Sequence, residues 1–198
     1  MAQTRIKGPA RRERLLDAAA QIVLEHGVTA VTMEAVALLN GVNRAMAYRY
    51  FKSRDGLLSE LLDREYDRQT EQITAKVDVA GDLEGALRYA MRHWFQHGEL
   101  FRRLATDTGP LAARAAHIRR QDALIWAEGM EKAFALPREP AVRLAAFMVG
   151  GSFGLFEARS GVDDERVIDE VVRIVIAAGS ALQSHYAPQP ASAVEAAG

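Results

Sequence analysis

Residues 32–51 read TMEAVALLNGVNRAMAYRYF, which places two polar capping residues on either side of an Asn-Gly pair. Thr32 and Asn43 are natural N-caps, so each is expected to begin a short helix. Between them, the Asn-Gly pair at 40–41 indicates a turn. Two short helices joined by a glycine-containing turn of a few residues match a helix-turn-helix unit. The sequence therefore predicts such a unit, with its second helix running to about Phe51.

The flanking residues supply the helices that a unit this small needs for a core. Residues 11–26 carry one apolar stripe at helical spacing, and Gly27 follows as a stop signal. On the other side, Ser53 can cap a fourth helix that reaches about Lys76. Its apolar side is formed by Leu57, Leu58, Leu61 and Leu62.

The second helix of the unit separates into two faces when residues 43–54 are wound at 3.6 residues per turn. One face, which we expect to contact DNA, holds Ala45, Tyr48, Arg49 and Lys52. The opposite face holds Asn43, Ala47, Tyr50, Phe51 and Arg54. Of these, Ala47 and Phe51 are expected to be buried. Arg44 lies in the first turn, between the two faces.

Each exposed residue type suits a particular contact with a DNA duplex. An arginine near the start of a recognition helix can bond two acceptors of guanine, which favours Arg44 first and Arg49 second. Ala45 suits close approach or a thymine methyl group, and Met46 either does the same or packs inward. Tyr48 and Lys52 suit phosphate contacts, as does Thr32 at a helix start.

Charge is distributed unevenly along the 198 residues, although the net charge is only −1. Residues 1–55 contain nine Lys or Arg against five Asp or Glu, whereas the remainder contains 16 against 21. A basic N-terminal quarter on an acidic body is typical of a nucleic-acid partner, although a solvated basic face gives the same count. A mobile basic arm for a backbone or minor groove is predicted from Arg5, Lys7, Arg11 and Arg12.

Residues 10–62 resemble the DNA-binding domain of TetR-family transcriptional regulators. The elements that match in order are LLDAA, the HG pair at 26–27, the threonine that opens the second helix, the GV pair at 41–42, and YRYFKSRDGLL at 48–58. The resemblance implies an all-α homodimer with a C-terminal domain for ligand binding and dimerisation. It places the family's DNA contacts on Thr32, Asn43, Arg44, Ala45, Tyr48, Arg49, Tyr50 and Arg54.

Several positions depart from the family pattern. Ala47 stands where leucine is usual, which alters the packing of the recognition helix. Tyr50 replaces a frequent histidine and Arg54 a frequent lysine, while Met46 stands where a small or hydroxyl residue is common. Glu34 lies near the start of the second helix, where some members place an arginine that contacts DNA.

Beyond Val77 the sequence predicts five further helices, at 82–97, 99–106, 111–135, 138–159 and 164–186, with glycine or proline at the breaks. Residues 171–179 are β-branched enough to suggest a strand, but their apolar positions keep helical spacing, so a helix is expected. The last residues, 187–198, are predicted to be a disordered tail.

Large apolar and aromatic side chains are concentrated in residues 82–160. In a helical bundle they form the core, the cavity of an apolar or aromatic ligand, or both. The predicted pocket residues are Tyr89, His93, Trp94, His97, Phe101, Trp126, Met130, Phe147 and Phe153. Candidate polar groups that would orient a ligand are His93, His97, Arg102, Arg103 and His117.

His93 and His97, at i and i+4, can present two imidazoles to one metal ion. The metalloprotease pattern also needs glutamate after the first histidine, and Trp94 is there instead. No bound metal or cofactor is therefore expected. With no nucleophile and base in a recognisable arrangement, we expect a binding protein rather than an enzyme.

The run GGSFG at 150–154 lies in a predicted helix, where each glycine costs about 1 kcal/mol relative to alanine. Helical glycines are tolerated where another backbone packs closely. We expect Arg138–Arg159 and Asp164–Tyr186 to form the dimer interface, and the alternative is tight packing inside one subunit.

The sequence thus predicts an all-α fold of about nine helices. Residues 1–55 would bind DNA, 56–186 would bind an effector and dimerise, and 187–198 would form the tail. The absence of cysteine and of a signal peptide suits a cytoplasmic protein. The expected function is a ligand-responsive repressor released from operator DNA by a small apolar or aromatic effector. The alternatives are a helical small-molecule-binding protein without a role on DNA, and an enzyme that uses the two histidines.

Overall fold

The computed structural model describes residues 8–158 and 163–187. Within these ranges the chain forms nine α-helices, a short 3-10 helix at Val28–Ala30 and no β-strand. The helices are α1 (Gly8–His26), α2 (Met33–Leu39), α3 (Arg44–Tyr50), α4 (Arg54–Thr74), α5 (Leu83–His97), α6 (Glu99–Ala105), α7 (Ala112–Phe134), α8 (Arg138–Ala158) and α9 (Asp164–Tyr186). The predicted all-α class and helix number are confirmed, including helix at 171–179. Arg5, Lys7, Arg159 and the predicted tail from residue 188 lie outside the described residues.

Two compact units share the chain. The first contains the residues up to Lys76 together with Ala90–Arg120, and the second contains Val77–Tyr89 together with the residues from Gln121 onwards. Helices α5 and α7 are each divided between the units. The domain boundaries proposed from the sequence stay a prediction.

The first unit has a core of apolar helix faces that the sequence pattern anticipates. The predicted stripe of α1 is buried, and so are the four leucines of α4, each fully shielded from solvent. Burying a leucine side chain contributes roughly 1.5–3 kcal/mol relative to leaving it exposed. This core supports the short helices α2 and α3, which are too short to be stable alone.

The turn between α2 and α3 is held by local chemistry. Gly41 has a φ angle of 63°, in the left-handed region that glycine adopts without strain. The side-chain nitrogen of Asn40 donates to the carbonyl oxygens of Val36 at 3.1 Å and Arg14 at 3.2 Å. The second bond ties the turn to α1, so the two short helices are held against the domain core.

Two helical glycines of the second unit allow close packing. A β-carbon at Gly129 would collide with the carbonyl oxygen of Val79, and one at Gly179 would collide with the ring of Phe134. The glycines at 150, 151 and 154 differ, because a β-carbon on any of them meets no described atom within 4 Å. These three glycines therefore do not pack closely against other described residues, and the choice between a dimer interface and packing inside one subunit stays a prediction.

No helix among the described residues is both long enough and apolar enough to cross a membrane.

Candidate nucleic-acid interface

Helix α3 presents one buried and one exposed side. Ala47 is 0% exposed and Phe51, directly after the helix, is 3% exposed. The predicted contact residues Arg44, Ala45, Tyr48, Arg49 and Lys52 are all exposed to solvent. Met46 and Tyr50 are partly buried between the two sides. The division into a packing face and a solvent face follows the helical spacing that the sequence predicted.

Side-chain caps fix where the short helices begin. The Thr32 hydroxyl oxygen accepts from the Ala35 amide at 3.1 Å, and the Asn43 side-chain oxygen accepts from the Met46 amide at 2.8 Å. Both oxygens satisfy helix-start N–H groups that have no partner within the helix. Thr32 and Asn43 were predicted both as caps and as DNA contacts. The structure shows the capping role, and the DNA contact stays a prediction.

Arg44 is held by two side chains of the same surface. Its Nη1 lies 2.5 Å from Oε1 of Glu34 in α2, and its Nη2 donates to the Tyr48 hydroxyl at 3.2 Å. The guanidinium carbon also lies 5.2 Å from the centre of the Tyr48 ring, within cation–π range. The hydrogen bond to Tyr48 and the charge of Glu34 raise the pKa of Arg44 above its ordinary value. The sequence suggested no pairing between Glu34 and Arg44, because they are ten residues apart and meet only across the turn.

Arg54 is turned towards the domain interior. Its Nε donates to the Val31 carbonyl oxygen at 2.7 Å and its Nη2 donates to that of Val28 at 2.8 Å. These bonds anchor the segment that connects α1 to α2. Arg54 was predicted as a DNA contact, but two of its donor nitrogens are already used inside the protein.

Arg11 and Arg12 do not belong to a mobile arm, which corrects the sequence-based expectation. Both lie in α1 (Gly8–His26), which accommodates Pro9 in its first turn, where the missing N–H costs no helical hydrogen bond. Arg12 forms an ion pair with Glu60 of α4 and lies over the Phe51 ring at 5.1 Å. Arg12 therefore stabilises the contact of α1 with α4 and the end of α3.

Arg49 and Lys52 carry the remaining positive charge of this face. The side chain of neither residue forms a hydrogen bond or an ion pair with any described residue. They are therefore the cations of this face that are most available to phosphate groups.

The segment that contains the helix-turn-helix matches a known protein family. Residues 15–61 match the family model described as bacterial regulatory proteins of the TetR family. This segment of the chain is a TetR-family domain. It contains α1 from Leu15 onwards, all of α2 and α3, and the first turns of α4, so the match covers the residues around the exposed face of α3.

Curated relatives agree over the same region. The chain is 44% identical over 50 residues to the HTH-type transcriptional regulator BetI of Rhizobium meliloti (strain 1021), covering 25% of each protein. It is 43% identical over 54 residues to BetI of Agrobacterium fabrum (strain C58), covering 27% of this chain and 26% of that one. The matched TetR-family segment spans about a quarter of these relatives' length.

Solved structures extend the likeness of fold to most of the chain. A TetR-family transcriptional regulator from Streptomyces coelicolor superposes with a TM-score of 0.71 at 17% identity, covering 91% of this chain and 85% of that one. The fatty acid degradation regulator FadR from Bacillus halodurans gives 0.65 at 22% identity, covering 86% and 96%. At these identities the likeness concerns the fold: a TetR-type N-terminal helix-turn-helix followed by a helical C-terminal domain.

The predicted pocket residues are divided between the two units. His93, Trp94, His97 and Phe101 belong to the first, and Tyr89, Trp126, Met130, Phe147 and Phe153 to the second. Phe101 and Met130 are buried, His97 is exposed, and Phe147 is 73% exposed on α8. The other five are partly buried. The pocket stays a prediction, and His97 and Phe147 are its exposed members.

His93 and His97 lie side by side, with ring centres 4.9 Å apart. Burial, and then the charge of His97, lower the pKa of His93. In the described ranges no group of three or more His, Cys, Asp or Glu side chains is placed to hold a metal ion. Helix α5 thus brings the two imidazoles together without completing a metal site among the described residues.

Arg102 and Arg103, predicted as polar groups for a ligand, take structural roles. Both pair with Glu99 in the first turn of α6, and Arg103 also donates to the carbonyl oxygens of Val23 and Leu24 at the end of α1. Burial opposes ionisation of Glu99, but the two guanidinium groups outweigh it and lower the pKa of this carboxyl group.

A cleft of about 390 Å³ in the first unit is lined by residues of α1 and α4 and by Leu100 of α6. Its lining residues are Asp17, Ala20, Gln21, Leu24, Glu25, Arg64, Glu65, Arg68 and Leu100. None of the predicted pocket residues is among them. Its charged groups come from α1 and α4, and the packing of these two helices against each other is not predictable from local sequence spacing.

Proposed function

We propose that this TetR-family chain is a homodimeric, DNA-binding transcriptional repressor that a small apolar or aromatic effector releases from its operator. The observation that carries the proposal is the exposed side of α3. Two arginines, a lysine and a tyrosine face solvent there, while Ala47 and Phe51 on the other side are buried. Such a face suits the major groove, where arginine reads guanine and other side chains grip phosphate.

A dimer would place two copies of α3 in successive major grooves. For helix-turn-helix dimers, half-sites lie about one helical turn apart, roughly 34–36 Å, and the operator is close to a palindrome. An effector that favours a dimer with a different spacing would release the DNA. A coupling of about 1–3 kcal/mol changes operator affinity about 5- to 150-fold.

The dimer interface is proposed to lie on α8 and α9. Along α8 an exposed stripe at helical spacing contains Ala146, Phe147, Gly150, Gly151 and Gly154. On α9, Ile174 is 59% exposed, and Ala177 and Ala181 are exposed on the same side. A smooth apolar stripe with no partner among the described residues suits close approach of the same helices from a second copy.

Light scattering after gel filtration tests this interface. Wild type is expected to be a dimer at micromolar concentration, and Phe147→Asp is expected to be a monomer. Leu124→Asp places the same charge on another exposed apolar position of the second unit and is expected to stay dimeric. A monomeric wild type, or equal dissociation of both variants, would contradict the assignment.

The effector is proposed to bind among aromatic residues between 82 and 160 that belong to one of the two units. Trp94 and Trp126 are the two tryptophans of the chain, and both are partly buried. Their fluorescence can report binding of aromatic or lipophilic compounds, and Trp94→Phe and Trp126→Phe can locate the signal. A compound that changes the fluorescence and also releases DNA supports the proposal, whereas binding without release supports the alternative of a ligand-binding protein without a role on DNA.

DNA binding itself is tested by selecting duplexes from a random pool with the wild-type protein. The selected duplexes are then assayed by mobility shift across a salt series with wild type, Arg44→Ala and Tyr48→Ala. We expect both variants to bind more weakly, because each loses a contact from the exposed face of α3. Unchanged binding by both would remove α3 as the recognition surface, and failure to select any duplex would reject the regulator proposal. Binding to chromosomal DNA would also place the protein in the cytoplasm.

A further inference from the structure

Glu34 and Arg44 form an ion pair on the exposed face of the helix-turn-helix. The side chains are 55% and 60% exposed, and the turn between α2 and α3 separates them in sequence. An ion pair this exposed contributes little to folding stability, because solvent screens both charges. A carboxylate on a surface that faces phosphates also opposes DNA binding. Neither stability nor general affinity for DNA accounts for Glu34 at this position.

The contacts of Arg44 indicate a different role. Its Nη1 lies 2.5 Å from Oε1 of Glu34 in an ion pair and its Nη2 donates to Tyr48 at 3.2 Å, so two of its three guanidinium nitrogens have partners in the protein. Contacts on two different nitrogens restrict both the position and the plane of a guanidinium. The remaining N–H groups then point in defined directions. A free arginine would lose rotamer freedom on binding, and that loss weakens recognition.

We propose that Glu34 is a positioning residue for base reading, which holds the Arg44 guanidinium in the orientation that bonds a guanine edge in the major groove. The inference rests on the proposed DNA-binding function. It assigns sequence discrimination to a residue that need not contact DNA.

The experiment uses the full-length protein and a duplex that wild type selects from a random pool. Single base-pair substitutions first identify the G·C pair at which Arg44→Ala loses discrimination. Fluorescence anisotropy then gives Kd for that duplex and for its A·T substitute. The quantity compared among variants is the Kd for the A·T substitute divided by the Kd for the selected duplex. Glu34→Ala is expected to lower this ratio roughly 2- to 12-fold, which corresponds to the cost of ordering one flexible side chain.

Two further variants separate orientation from charge and from folding. Glu34→Gln keeps an oxygen that accepts a hydrogen bond and is expected to recover part of the ratio. Glu25→Gln, on an exposed part of α1, makes the same change in net charge and is expected to leave the ratio at its wild-type value. In an Arg44→Ala background, Glu34→Ala is expected to change nothing further, because the group that it positions is absent.

The outcomes are distinguishable. If wild type selects no duplex, the proposed function fails and this inference fails with it. If wild type selects a duplex but Glu34→Ala keeps the wild-type ratio, or lowers it equally without Arg44, DNA binding stands and the positioning role is overturned. The positioning role is also overturned if Arg44→Ala discriminates every base pair as wild type does. It is likewise overturned if Glu34→Gln lowers the Kd ratio as much as Glu34→Ala does.

Discussion

The Nε of Arg54 donates a hydrogen bond to the carbonyl oxygen of Val31 over 2.7 Å, and a second bond joins its Nη2 to Val28 over 2.8 Å. A side chain at the start of α4 thereby holds the main chain just before α2. The segment between Gly27 and Thr32 contains only a single turn of 3-10 helix, so these bonds fix where α2 begins relative to α4.

Replacing Arg54 by alanine is expected to destabilise the protein by about 1–3 kcal/mol, because two partly buried carbonyl oxygens lose a charged donor. Urea unfolding followed by circular dichroism measures the change. Arg49→Ala is the matched control: this arginine is exposed, and its loss is expected to change stability by no more than about 0.5 kcal/mol while weakening DNA binding. Equal stability of the two variants would show that the Arg54 bonds contribute nothing.

Ala47→Leu is expected to destabilise the helix-turn-helix even though leucine is usual at this position in the TetR family. Ala47 is completely buried, so the larger side chain has to displace its neighbours, which typically costs about 1–3 kcal/mol. Ala45→Leu makes the same change on the exposed face of α3 and is expected to keep wild-type stability. Thermal unfolding of both variants tests this prediction. A higher unfolding temperature for Ala47→Leu than for wild type would show that the core has an unfilled space at this position.

Local signals in the sequence were sufficient for the helices but not for the contacts between them. Thr32, Asn43 and Ser53 each cap the helix that follows, because a cap depends only on residues up to three positions away. The pairing of Arg54 with Val28 spans 26 residues and requires the final approach of α4 to the end of α1. No periodicity encodes such an approach.

The predicted ligand pocket shows the same limit. Spacing identifies which side of a helix is apolar, but the rotation of that helix in its unit decides whether a given residue is enclosed. Met130 is completely buried, whereas Phe147 is 73% exposed, although both were predicted from the same pattern of large side chains. In contrast, the buried side of α3 was predictable, because one short amphipathic helix has a single way to cover its core.

Lys52→Ala is expected to weaken DNA binding to a similar degree on all sequences. A lysine that contacts one phosphate releases about one counterion, so the slope of log K against log salt should become shallower by about 0.9. Mobility shifts between low and high salt measure this slope. Lys132→Ala removes an exposed lysine of α7 and is expected to leave the slope unchanged. A change of sequence preference in Lys52→Ala would instead place this residue at a base edge.

Stability is expected to fall in mildly acidic solution because of His93. Its pKa is lowered by burial and then by the charge of His97, so the unfolded chain binds a proton more readily than the folded one. The stability contributed by neutral His93 is therefore fully present above the ordinary pKa of about 6.5, and it is lost as the pH falls below that value towards the folded pKa.

Urea unfolding at a series of pH values between 5 and 8 measures this dependence. His93→Gln is expected to flatten it, whereas His26→Gln, at an exposed position, is expected to keep it. A wild-type protein with constant stability over this range would contradict the prediction. Zinc content provides a separate measurement: bound zinc that disappears in His93→Gln would support the metal site that the sequence left as an alternative.

Two glycine substitutions are expected to have different effects on the subunit and on the dimer. Gly179→Ala brings a β-carbon into the Phe134 ring, so the ring has to move. Such overpacking costs about 1–3 kcal/mol. This cost exceeds the gain in helix propensity from glycine to alanine, which is at most about 1 kcal/mol. Gly151→Ala adds its methyl group to open space within the subunit and gains only the propensity. In the proposed dimer, however, the same methyl group separates two closely approaching helices.

Unfolding curves at several protein concentrations separate the two effects, because only dissociation depends on concentration. Gly179→Ala should be less stable than wild type at every concentration and keep the wild-type dimer dissociation constant. Gly151→Ala should raise that dissociation constant without weakening the isolated subunit. If Gly151→Ala dimerises as wild type does, the exposed stripe of α8 is not the surface through which two copies meet.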